Sequence, residues 1–124
     1  MISRKGNRVL IASLIMFLAI INTGCYYDQV YIAPPEGDIS YSADIQAFFD
    51  ASCVSCHNGG GIPLNLDVSV SYNELLNGNY INTATPATSL LYTKIATGGS
   101  MEQYATDSER AKTLKWIEQG AKNN

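Results

Sequence analysis

The sequence predicts an all-α domain, and three observations carry that prediction. Helix-start residues stand ahead of apolar runs at helical spacing, glycines close those runs, and no segment shows the sustained period-two alternation of a strand. Ser42 can cap a first helix whose Ile45, Phe48 and Phe49 share one face at i, i+3, i+4 spacing. Ser71 with Glu74 reads as a capping box for a short second helix that Gly78 would end. Ser89 to Ile95, after Pro86, reads as a third helix closed by Gly98-Gly99. Thr106 with Glu109 forms a second capping box, opening a helix that carries Leu114, Trp116 and Ile117 and stops at Gly120. Helices this short make a small core, and such domains are marginal without a covalent or metal staple.

The 124 residues leave room for one ordinary domain, which excludes a large multidomain enzyme and a dinucleotide-binding fold. Arg4, Lys5 and Arg8 precede an apolar run over residues 9–21, broken only by Ser13. A membrane span needs roughly 20 apolar residues, so this run fits the core of an export signal. Asn22-Thr23-Gly24-Cys25 follows and resembles a lipobox, with small residues beside the cysteine that would be lipidated and Asn22 in place of the usual Leu. The expected organisation is a lipoprotein signal peptide over residues 1–24, a lipidated tether over 25–38 and a domain over 39–124. An ordinary cleaved signal or an uncleaved N-terminal anchor is the alternative. Pro34-Pro35-Glu36-Gly37 favours an extended tether. Tyr26, Tyr27 and Tyr31 suit a lipid headgroup layer or serve as linker aromatics.

Removing residues 1–24 takes away three basic and no acidic side chains, turning a net charge of −3 into −6. An acidic domain of this kind argues against nucleic-acid binding.

Cys53-Val54-Ser55-Cys56-His57 is the C-x-x-C-H pattern of covalent haem attachment. Two thiols one helical turn apart add across the two porphyrin vinyl groups, and the next imidazole binds the iron beneath. Attachment takes place outside the cytoplasm, in agreement with an export signal. A thioredoxin-like pair would need a strand–helix context. A zinc site would need four ligands, and a disulfide between Cys53 and Cys56 would leave His57 without a role. Met101, the only methionine after the export signal, lies in a glycine-rich loop between helices. That is a poor place for a core residue and a suitable one for a sixth ligand to iron; a thioether there favours ferrous iron.

Residues 39–124 resemble a class I c-type cytochrome of the small kind common in exported lipoproteins. The resemblance rests on the Ile45/Phe48/Phe49 helix, Cys53-Cys56-His57, Gly59-Gly60-Gly61, the Ser89-Leu90-Leu91-Tyr92 helix, Met101 and Trp116 to Ala121. It implies a helical domain wrapped around one covalent haem c, with first and last helices crossing so that Phe48 and Phe49 lie near Trp116 or Ile117. It also implies that Pro63 offers its carbonyl to the second nitrogen of His57, although Pro63 can equally be a plain loop residue. Glu102 stands where many members have proline after the methionine. Leu64, Leu66, Ile81, Leu90, Leu91 and Ile95 would line the haem pocket or fill the core, and Tyr72, Tyr80, Tyr92 or Tyr104 would bond haem propionates.

The leading expectation is a monohaem electron carrier rather than an enzyme, held by lipid at Cys25 to a membrane of the bacterial cell envelope and facing the periplasm or exterior. Its redox partners would present basic docking patches to its acidic surface. Lys112, Lys115 and Lys122 form a small basic exception or simply solvate a helix. A haem sensor, a peroxidase-like catalyst or a haem subunit of a larger complex are the alternatives. Cys25→Ser is expected to abolish incorporation of labelled palmitate in a bacterial host; a variant labelled like the parent would overturn the lipid anchor.

Overall fold

A computed structural model describes residue 33 and residues 35–124. The export signal, Cys25, Tyr26, Tyr27, Tyr31 and most of the tether lie outside the described residues. Four α-helices follow in order: α1 (Gln46–Ser52), α2 (Ser71–Asn77), α3 (Leu90–Ile95) and α4 (Asp107–Glu118). A π-helical turn (Tyr41–Ile45) leads into α1, and 3-10 turns over Pro86–Thr88 and Glu102–Tyr104 precede α3 and α4. Among the described residues there is no strand, and no helix is long and apolar enough to cross a membrane.

Chain entry differs from the sequence expectation by two residues. Ser40, not Ser42, is the N-cap: its backbone is extended and its hydroxyl accepts from the Ala43 amide at 3.2 Å. Ser42 instead donates through both its amide (3.0 Å) and its hydroxyl (2.9 Å) to the Asn124 carbonyl. Contacts also reach back to residue 37. Gln119 Nε2 donates to the Gly37 carbonyl at 2.9 Å, and Gln119 Oε1 accepts from the Ile39 amide at 2.9 Å.

Ser71 is not a cap either, because α2 already includes it and Val70 precedes it. Its side chain lies fully buried, accepting from the Tyr41 hydroxyl at 2.7 Å and donating to Gln46 Oε1 at 2.5 Å. Gln46 completes the network by donating to Asp50 (2.7 Å) and to the Leu66 carbonyl (3.0 Å). Every member is satisfied, as burial of polar groups requires. The Thr106–Glu109 capping box is present in both directions, and Gly120 ends α4 with a φ of +94°.

The core gathers Ile45, Phe48, Phe49, Trp116 and Ile117, all at 4% exposure or less. First and last helical segments do meet, but the ring nearest the tryptophan is that of Tyr41. Its centroid lies 5.3 Å from Trp116, 5.1 Å from Tyr72 and 6.5 Å from Phe49. Such tilted and edge-on aromatic pairs add attraction beyond the area they bury. Trp116 Nε1 donates to the Lys122 carbonyl at 2.8 Å, which folds the C-terminal segment back over the core. Thr113, rather than Leu114, supplies the third buried position of α4.

Outside this core Lys112 Nζ reaches Asp44 Oδ1 at 2.7 Å. Lys112 is therefore engaged, which removes it from any free basic cluster with Lys115 and Lys122. The Lys112 hydrogen bond holds the Asp44 carboxyl below its ordinary range, against a smaller opposing effect of burial. A lowered carboxyl stabilises the fold above the unfolded pKa of about 4, and that increment disappears as pH falls through the folded value. With both side chains partly solvated, its size is under about 1 kcal/mol. Asp44→Asn should therefore lower the urea midpoint at pH 7 and leave it nearly unchanged near pH 3. An equal deficit at both pH values would refute the ion pair's contribution.

Candidate functional site

Helix α1 ends in a tight turn that carries the motif. The Cys53 and Val54 amides donate to the Phe49 carbonyl at 2.8 and 2.9 Å, and those of Cys56 and His57 donate to the Cys53 carbonyl at 3.1 and 2.9 Å. This winding places Cys53, Cys56 and His57 on the wall of one cavity of about 260 Å³, which Met101 also lines. Phe48, Phe49, Leu66, Leu91 and Ile95 give that cavity an apolar interior. The structure thus brings together the four side chains that the sequence singled out across 49 positions, from Cys53 to Met101.

His57 is held by its loop. Its Nδ1 lies 3.1 Å from the Pro63 carbonyl and 3.2 Å from that of Leu64. Two carbonyls can only accept, so the neutral ring carries its proton on Nδ1 and leaves Nε2 as the free electron pair. The expected Pro63 contact is present, and Leu64 adds a second acceptor. Leu64 has a φ of +72°, unusual for a residue with a bulky side chain. This left-handed step lets consecutive carbonyls address one nitrogen. The loop is closed by the Leu66 amide donating to the His57 carbonyl at 2.8 Å.

The methionine loop is held with similar economy. Gly99 passes so close to the end of α3 that a Cβ would fall on the carbonyl oxygens of Thr93 and Lys94. The Met101 amide donates to the Lys94 carbonyl at 2.8 Å, and the Glu102 carboxylate accepts from the Gly98 amide at 2.8 Å. Glu102, directly after Met101, thus braces the loop by hydrogen bonding. Met101 remains 36% exposed.

Cys53 and Cys56 are both free thiols, with Cys56 exposed. Burial, helped by the Glu109 carboxylate, pushes the Cys53 thiol up to about 11, so it is protonated at neutral pH. Among the described residues no three His, Cys, Asp or Glu side chains gather into a metal-holding group. The cavity wall carries two thiols, one imidazole and one thioether, and the imidazole and thioether form a pair suited to a borderline or soft transition metal.

The other candidate residues divide between cavity and core. Leu66, Leu91 and Ile95 line the cavity, whereas Leu64 and Ile81 pack on the core and Leu90 is 42% exposed. Of the four tyrosines, Tyr104 alone lines it; Tyr72 donates to the Ala121 carbonyl at 2.9 Å, and Tyr80 and Tyr92 pack against the core. Sequence reasoning missed Ile62 and Lys94, which line the cavity, and Gly99 as a close-packing position. Lys94 was legible in principle, three residues after Leu91 on the same helix face.

No family model, curated protein or solved structure matches the chain.

Branching at Cβ opposes a left-handed φ, so Leu64→Ile should cost about 1–2 kcal/mol in urea unfolding. Unchanged stability would contradict the assigned strain.

Proposed function

We propose that this protein is a monohaem electron carrier of the c type. The observation that carries the proposal is the convergence of Cys53, Cys56, an Nδ1-anchored His57 and Met101 on one apolar cavity. The residues fit the group. Two unpaired thiols are available to form thioethers, each S–H adding across one vinyl group with its hydrogen passing to the other vinyl carbon. The Pro63 and Leu64 carbonyls fix the imidazole's tautomer and orientation, as outer-shell partners of metal-bound histidines do. When bound, haem supplies an iron that cycles between ferric and ferrous states.

The chain's own part is to bind, orient and exclude water. His57 presents Nε2, while the braced Gly98–Met101 loop presents a thioether that favours the ferrous state. Phe48, Phe49, Leu66, Leu91 and Ile95 keep the interior dry, which limits rearrangement when charge changes. No general acid, base or nucleophile is required of them, so the reading is that of a carrier and not a catalyst. Lipid attachment at Cys25 would hold it to a membrane of the cell envelope, beside redox partners whose basic patches complement its acidic charge.

The exposure of Met101 supports a second reading, in which the sixth ligand is displaceable and the haem senses or activates a small molecule.

Expression with a c-type maturation system followed by denaturing mass measurement tests the proposal. A haem-sized gain, absent from Cys53→Ala/Cys56→Ala, is expected, and a bare polypeptide mass would overturn it. In the oxidised protein the methionine-sulfur-to-iron charge-transfer band should be present and lost in Met101→Ala. Its absence from the parent protein would favour the sensor or catalyst.

A further inference from the structure

The loop that follows His57 has few ties of its own. Gly59, Gly60 and Gly61 are exposed within it, and Gly59 and Gly61 have φ values of +82° and +112°. Glycines leave a backbone more freedom than any other residue. Among the described residues, one side-chain hydrogen bond from a helix reaches residues 58–66: Gln46 Nε2 donates to the Leu66 carbonyl at 3.0 Å. Gln46 is the first residue of α1, and α1 runs directly into Cys53. It is buried, and its amide is committed on both sides. Nε2 also donates to Asp50 Oδ1 at 2.7 Å, while Oε1 accepts from the Ser71 hydroxyl at 2.5 Å. A flipped amide would turn Oε1 against the Leu66 carbonyl and the Asp50 carboxylate, both acceptors, so one orientation alone satisfies the network.

We infer that Gln46 is a positioning residue for the imidazole of His57, acting through Leu66. The inference rests on the haem reading, in which that imidazole binds iron. Leu66 is the relay: its carbonyl accepts from Gln46, its amide donates to the His57 carbonyl, and its side chain lines the cavity. The thiols of Cys53 and Cys56 follow the end of α1, and the far end of the histidine loop is fastened to the start of the same helix. The covalent and the axial attachments of the group are therefore both referred to one element. With Leu66 held, the Pro63 and Leu64 carbonyls shortly before it stay on Nδ1, and the ring keeps one orientation. Loss of the Gln46 donor would leave the Leu66 carbonyl without its partner and free the glycine-rich loop to shift. The effect falls on the orientation of the ring, since Nε2 itself is untouched.

Proton NMR of the oxidised, haem-loaded protein tests this role, because the haem-methyl shifts report the orientation of the axial imidazole plane. Gln46→Met, close in shape and without a donor, should redistribute those shifts and speed exchange of the Leu66 amide about tenfold. Ser71→Ala removes a neighbouring bond of the same network but leaves the Leu66 carbonyl its donor. It should lower the urea midpoint while the methyl shifts stay in place. Attached haem with unmoved shifts in Gln46→Met, or equal movement in Ser71→Ala, would overturn the positioning role and leave the carrier reading intact. The parent protein gives a second measurement that needs no variant to fold. Its Gln46 side-chain amide protons should exchange far more slowly than those of Gln103, which is exposed; equal exchange of the two would also overturn the role. Absence of haem from the parent protein would overturn the carrier reading and the inference with it.

Discussion

The hydrogen bonding of His57 Nδ1 to two successive carbonyls is the constraint around which this domain is arranged. It fixes the ring against rotation and selects one tautomer, which leaves the free electron pair on Nε2. The cost is a left-handed leucine, and strain of that kind persists only where the surroundings over-determine it. Here the Leu66 amide closes the loop onto the His57 carbonyl, and the Leu66 side chain is buried. Backbone, not side chain, therefore orients the imidazole. A substitution in this loop acts by changing dihedral preference more than by deleting a contact.

Behind the motif, the core links the start of the domain to its end. Tyr41 stacks among Phe49, Tyr72 and Trp116 while its hydroxyl anchors the Ser71–Gln46 pair. Gln46 in turn bonds the carbonyl of Leu66, the residue whose amide closes the histidine loop. A continuous path of hydrogen bonds thus runs from the aromatic core to the His57 loop. Because Tyr41, Gln46 and Ser71 are buried and satisfied, removing any one of the three strands a polar group away from water.

Much of this was legible from the chain alone, for identifiable reasons. Cys53, Cys56 and His57 lie within one turn, so local winding suffices to bring them together. The Thr106–Glu109 box was readable because neither partner is buried and nothing competes for them. The Ser71–Glu74 pattern misled for the opposite reason: tertiary burial claimed the serine hydroxyl for Tyr41 and Gln46. Ser40 was overlooked because Ser42 matches the cap pattern equally well, and the choice depends on where Asn124 docks. The second acceptor for His57 depends on the φ of Leu64, which no side-chain preference announces. Pocket-lining residues divided in the same way. Leu91 and Ile95 follow from helical spacing, while the exclusion of Leu64, Ile81 and Leu90 depends on how separate segments pack.

Gly99 has a consequence for how this domain can change over generations. Surface loops ordinarily absorb insertions, deletions and side-chain growth with little penalty. The segment after α3 lacks that freedom, since its backbone rests directly on the helix-end carbonyls and any side chain at Gly99 would displace them. The spacing from Leu91 to Met101 is therefore as fixed as a helical register, although half of it is loop. Diversity in descendants of this chain is expected to collect elsewhere, in the exposed stretch around Gly60 and between Asn82 and Thr88, where side chains face open solvent.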